Sequence, residues 1–256
     1  MITLKSIREI DTMRKAGKAL SEASARIRET VSAGMSTGDL DFIAREELEK
    51  RGLEPAFLNY GNPPFPASIC TSINDEIVHG IPSNERVLNQ GDILSVDIGG
   101  VFEEFYVDMA FTLAVGNADK AAERLMSVTR KALEAGIGKM YTSLRLGDLS
   151  SAVQRVAESA GFSVVRELVG HGIGRELHEA PNVPNYGIEG RGMVLETGLV
   201  LAIEPMLIDG DNPSIKYADD DWTVKTASGK NSAHFENTVA VTESGPLMIT
   251  DFLWED

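Results

Sequence analysis

Apolar residues recur at helical spacing from the start of the chain, at Ile7, Ile10, Met13, Leu20, Ile27 and Val31, one face of an amphipathic helix. Ser6 with Glu9 three residues on forms a capping box at its start. The pattern predicts a second helix from about Thr37 to Arg51, stopped by Gly52, and others over Asn117 to Ala135 and Asp148 to Ala160. Between them lie runs rich in apolar or β-branched residues, bounded by glycine or charged turns. Ile93 to Ile98, Tyr106 to Val115, Leu199 to Ile203 and Phe235 to Val241 are predicted strands. No low-complexity linker interrupts the chain, so residues 1–256 are expected to form one domain.

The two parts of the sequence repeat each other. Gly38-Asp39-Leu40 stands fourteen residues before Gly52, and Gly147-Asp148-Leu149 stands fourteen before Gly161. His79-Gly80-Ile81-Pro82 has its counterpart in His178-Glu179-Ala180-Pro181. Gly91 precedes Asp97 by six residues, as Gly198 precedes Glu204. Three matches in one order point to duplication, with halves of roughly 1–115 and 116–256. The expected class is α+β, two related units of helix and antiparallel strand packed on a shared sheet. A site between the halves would draw ligands from both.

Acidic residues interrupt these apolar strands. Asp97 and Asp108 are eleven apart; a hairpin turning near Phe102 and Glu103 would set them opposite each other on one face, roughly 5 Å apart at Cα. Two carboxylates that close must share a proton or bind cations, and further acids in the second half favour cations. Glu204 ends the run Leu199 to Ile203 and precedes Pro205. Glu236 is expected to share a strand face with His234 and Thr238, opposite Phe235, Val239 and Val241. Three of the four histidines, His79, His171 and His178, lie in turns rich in glycine or proline, where the backbone can deliver a side chain to a cleft.

Composition narrows the chemistry. With 24 Lys plus Arg against 39 Asp plus Glu, the formal charge of −15 disfavours phosphate backbones and anionic lipid as partners. The N-terminal stretch mixes charges into its apolar positions and has no signal-peptide or membrane run. One cysteine, Cys70, allows no internal disulfide, which agrees with a reducing, cytoplasmic setting. By default it is a small buried hydrophobe. Gly170, Gly172 and Gly174 lack the spacing of a dinucleotide loop, and His171 and His178 lack the four-residue spacing of a helical zinc motif.

The segments Ser72 to Pro82, Asp97 to Asp108, Gly170 to Pro181, Ile203 to Met206 and Trp222 to Glu236 together resemble the type I methionine aminopeptidases over nearly the whole chain. The resemblance implies the duplicated "pita-bread" fold and removal of N-terminal methionine from nascent polypeptides when the second residue is small. It implies two divalent ions per chain, of Co, Mn, Fe, Zn or Ni, held by Asp97, Asp108, His171, Glu204 and Glu236, with a metal-bridged water as nucleophile. Asp108 and Glu236 would bridge, Glu204 would carry a proton, and His79 and His178 would face the scissile amide and the developing oxyanion.

The same resemblance maps a methionine pocket onto Tyr60, Phe65, Cys70, Leu177 and Trp222. Two positions depart from the commoner pattern. His234 stands where glutamine is frequent, close to Glu236, and Asn237 where histidine is frequent. The nearest rival, a prolidase or Xaa-Pro aminopeptidase, would reuse the five ligands but usually carries a sizeable N-terminal domain, for which the two opening helices leave no room. A binding protein that has lost catalysis would be expected to have damaged ligands. The expected protein is a cytoplasmic monomer, with at most transient ribosome contact.

Overall fold

The computed structural model describes residues 2–252; residue 1 and residues 253–256 of the expected domain lie outside the described residues. The first half runs through helices α1 (Ile7–Thr30) and α2 (Thr37–Lys50), then strands β1 (Glu54–Pro55), β2 (Ile69–Ile73), β3 (Glu76–Val78), β4 (Ile93–Phe102) and β5 (Phe105–Ala114). The second opens with α3 (Lys120–Ile137) and α4 (Leu146–Ser159). Its strands are β6 (Phe162–Val164), β7 (Gly170–Gly172), β8 (Glu179–Val183), β9 (Val200–Ile203), β10 (Met206–Asp209), β11 (Ile215–Tyr217), β12 (Val224–Thr226), β13 (Ser232–His234), β14 (Glu236–Thr242) and β15 (Gly245–Met248).

Nine strands form one curved antiparallel sheet in the order β1-β4-β5-β14-β9-β7-β8, with β2 beside β4 and β15 beside β14. Two small sheets, β13-β10-β6 and β11-β12-β3, flank it. The helices cover the apolar side. Helix α1 starts at the expected capping box and buries Ile10, Met13, Leu20 and Ile27, while Ile7, in its first turn, stays exposed. Helix α3 begins later than expected, because Asp119 caps it by accepting from the Ala122 N–H.

The duplication is visible in the backbone. Asp39 and Asp148 each accept from the backbone N–H three residues earlier, at 2.9 and 2.7 Å, at the starts of α2 and α4. Each start makes an isolated antiparallel bridge to a later segment of its own half, at Ser36↔Val87 and Arg145↔Val194. Gly91 and Gly198 both turn into their strands at φ +92°, a conformation that a Cβ would oppose. The halves meet along β5 and β14, where Glu236 pairs with Ala110.

Two expectations need correction. The β4–β5 turn is made by Glu103 and Glu104, both at positive φ, so Phe102 faces Phe105. That register pairs Asp97 with Ala110 and Gly99 with Asp108. The aspartates are therefore diagonal neighbours on one face, not direct partners. The second correction concerns His234: Phe235 to Val241 forms the expected strand to within a residue, as β14, but His234 does not share it. The chain leaves the small sheet at His234 and joins the large one at Glu236. Its partner does the same at Glu204-Pro205, between β9 and β10, where proline cannot donate to a ladder. The Phe235 N–H reaches the Pro205 carbonyl at 3.4 Å. Glu204, His234 and Glu236 all sit at this crossing.

Candidate metal centre

Strand register brings the acids together. Asp97 on β4, Asp108 on β5, Glu236 on β14 and Glu204 at the end of β9 come from neighbouring strands of the large sheet. Thr238 anchors Asp108 across the strands: its hydroxyl accepts from the Asp108 N–H at 3.0 Å and donates to the Asp108 carbonyl at 2.8 Å. The Asp97 and Asp108 carboxyls lie close enough that the charge of Asp97 helps raise the pKa of Asp108. His171 enters from β7, its Nδ1 2.9 Å from the Gly172 carbonyl. A proton held there leaves the Nε2 lone pair facing the acids, 3.6 Å from Glu204 Oε1.

Burial governs the charges here. It raises Asp97 to about 7 and Glu204 to about 8, and pushes Asp108 and Glu236 well above the usual carboxylate range. It lowers His171 to about 3 and His79 to about 4, so the His171–Glu204 contact is not an ion pair at neutral pH. Asp97 Oδ1, Asp108 Oδ1, Glu236 Oε1 and both ring nitrogens of His234 are buried with no hydrogen-bond partner among the described residues. Orphaned acceptors so concentrated are costly. A divalent cation would satisfy them and displace their protons. Asp108, His171 and Glu236 each offer a ligand atom within 4.8 Å of the others, and so do Glu204, His234 and Glu236. The residues present therefore fit divalent metal.

Above the acids opens a cavity of about 280 Å³, the scale of a small ligand and far below that of a folded segment. All of the expected site residues line it: the five ligands, His79, His178, Tyr60, Phe65, Cys70, Leu177 and Trp222. Phe65 and Trp222 pack edge to face with ring centroids 5.2 Å apart, and Trp222 meets His79 at 5.9 Å. His79 sits at φ +60° with its carbonyl accepting from Thr223 Oγ1 at 3.4 Å. Cys70 is free and buried on β2, paired with Asp97, and burial raises its thiol pKa. Tyr60 Oη lies 2.6 Å from His178 Nδ1.

The pattern of the sequence did not mark Phe57, Val78, Leu168, Val169 and Met206 as cavity residues. Val78 and Met206 on strands, and Phe57, Leu168 and Val169 in connecting segments, are apolar residues with no mark that separates a wall from a core. Glu167 could have been found, since it shortly precedes Gly170-His171.

Among the described residues no helix is long and apolar enough to cross a membrane. The model of metallopeptidase family M24 matches residues 11–243. A methionine aminopeptidase of Clostridium perfringens is 49% identical over 98% of this chain and 99% of its own length. The crystal structure of a methionine aminopeptidase from Thermotoga maritima superposes with a TM-score of 0.95 at 43% identity, covering 98% of this chain and all of that one. A prolidase from Pyrococcus furiosus shares the fold alone, with a TM-score of 0.77 and 21% identity over 66% of its length. With its pita-bread architecture and a buried cluster of metal-ligating side chains, the chain belongs to metallopeptidase family M24 and stands among that family's methionine aminopeptidases.

Proposed function

We propose that this single catalytic domain removes N-terminal methionine from new polypeptide chains in the cytoplasm when the second residue is small. The observation that carries the reading is the group of orphaned carboxylate oxygens on Asp97, Asp108 and Glu236 at the floor of an apolar-walled cavity. Asp97, Asp108, His171, Glu204 and Glu236 would hold two divalent ions, with Asp108 and Glu236 shared. Ions bound there supply Lewis-acid polarisation of the scissile carbonyl and make water acidic enough to attack near neutral pH.

The remaining work falls to side chains. Phe65, Cys70, Leu177 and Trp222 strip water from a thioether without offering a charged residue any partner. Hydrolysis adds water to the amide carbon and breaks the C–N bond, so one proton must travel to the departing amine. Glu204, its carboxylate at the edge of the metal centre beside the cavity, would take that proton from the attacking water and return it to the amine. His79 and His178 are both held neutral by burial. A neutral imidazole can donate one N–H, from His178 to the carbonyl oxygen as it gains charge and from His79 toward the amide. The net charge of −15 provides no evident ribosomal anchor, so contact with the ribosome would be transient; the enzyme would act as a monomer.

Calorimetric titration of Co(II) into chelator-treated protein, followed by assay on Met-Ala-Ser, tests this. Binding should saturate at two ions per chain, and methionine release should require them. Saturation at one ion, or full hydrolysis in chelator, contradicts it.

A further inference from the structure

His234 is unused in that scheme, yet it lies at the heart of the site. It ends β13 at the sheet crossing, is 1% exposed, and points Nε2 at two carboxylates, 3.5 Å from Glu204 Oε2 and 3.8 Å from Glu236 Oε2. Both its ring nitrogens lack a hydrogen-bond partner among the described residues. Those separations are too long for hydrogen bonds, which fall at about 2.7–3.2 Å. Two atoms each about 2.0–2.2 Å from a tetrahedral ion stand roughly 3.3–3.6 Å apart; the 3.5 Å contact with Glu204 falls in that range and the 3.8 Å contact with Glu236 lies just beyond it. Glu204, His234 and Glu236 form a ligand set of their own, distinct from Asp108, His171 and Glu236 and joined to it through Glu236.

We propose that His234 is a sixth metal ligand, binding through Nε2 together with Glu204 and Glu236, so that the centre carries one imidazole on each side of Glu236. The proposal rests on the two-ion reading above. The glutamine frequent at this position offers only an amide, a much weaker donor than imidazole. A second nitrogen ligand shifts the centre's preference from Mn(II) toward Co(II), Ni(II) and Zn(II), which favour imidazole more strongly. The carboxylates alone would leave the His234 Nε2 atom buried and unpaired; coordination satisfies it.

The test uses the full chain loaded with Co(II) and observed by proton NMR in water. Each coordinated imidazole gives one strongly shifted, exchangeable N–H resonance. Two such signals are expected in the native protein, from His171 and His234, and one in His234→Gln. Co(II) affinity in His234→Gln should fall at least about tenfold, the low end of what even an outer partner of a metal ligand is worth, while Mn(II) affinity changes less. A single shifted signal in the native protein that persists in His234→Gln overturns the proposal and leaves the two-ion reading standing. Absence of all shifted signals overturns both. The native spectrum decides even where the variant folds poorly.

Discussion

Tyr60 and His178 are 118 residues apart in sequence, yet Tyr60 Oη lies 2.6 Å from His178 Nδ1. A phenol donating to Nδ1 leaves Nε2–H as the ring's only donor, the form that can stabilise a carbonyl oxygen gaining charge. Because Tyr60 is partly exposed, the bond is worth about 0.5–1.5 kcal/mol. Tyr60→Phe should therefore lower kcat roughly 2- to 12-fold with little change in KM. In His178→Ala the same substitution should cost nothing further. Steady-state kinetics of the four proteins checks this; independent effects would show that the contact does not orient His178.

Metal retention and turnover should separate in the other variants. Asp108→Asn and Glu236→Gln each remove a carboxylate proposed to be shared, so both ion content and activity should collapse while circular dichroism stays native. His178→Ala should keep its ions and lose roughly 100-fold or more in kcat, whereas His171→Ala should lose ions. Metal content by mass spectrometry beside kinetics decides, and equal profiles for the two histidine variants would refute the division of roles.

The acids and histidines make opposing demands on pH in chelator. Asp97 and Glu204 have folded values of about 7 and 8 against ordinary values of 3.8 and 4.5. The stability they contribute is complete below the ordinary values and is lost as pH rises through the folded ones. His79 and His171, at about 4 and 3 against 6.5, act oppositely below pH 6.5 and are silent above it. The metal-free protein should thus lose Tm between pH 6.5 and 8, and added Co(II) should raise Tm most at the upper end. Thermal melts across that window suffice; a metal-free Tm that climbs from pH 6.5 to 8 would contradict the assignment.

Much of this site was legible because charges interrupt apolar strands. Glu204 before Pro205 and Glu236 amid Phe235, Val239 and Val241 have no place in a core without partners. The register of the aspartates was not legible, since the turn depends on positive φ at Glu103 and Glu104, residues that carry no glycine signal. The break at Phe235 was hidden for a related reason. There the chain passes from one sheet to another, with the Phe235 N–H on the Pro205 carbonyl, a tertiary feature outside local alternation. Likewise Leu168 and Val169, between β6 and β7, become cavity wall through contacts made in the folded chain.

Specificity and metal dependence meet in one measurement. Ions on the sheet floor and the Phe65–Trp222 wall would together select N-terminal methionine. Chelator-treated enzyme is offered Met-Ala-Ser, Met-Lys-Ser, Glu-Ala-Ser and Ala-Pro peptides, before and after Co(II) or Mn(II) is restored, and kcat/KM is compared. No turnover is expected in chelator, and with metal restored, cleavage of Met-Ala-Ser far above the other three. Comparable cleavage of Glu-Ala-Ser, preference for Ala-Pro, or undiminished activity in chelator would contradict it.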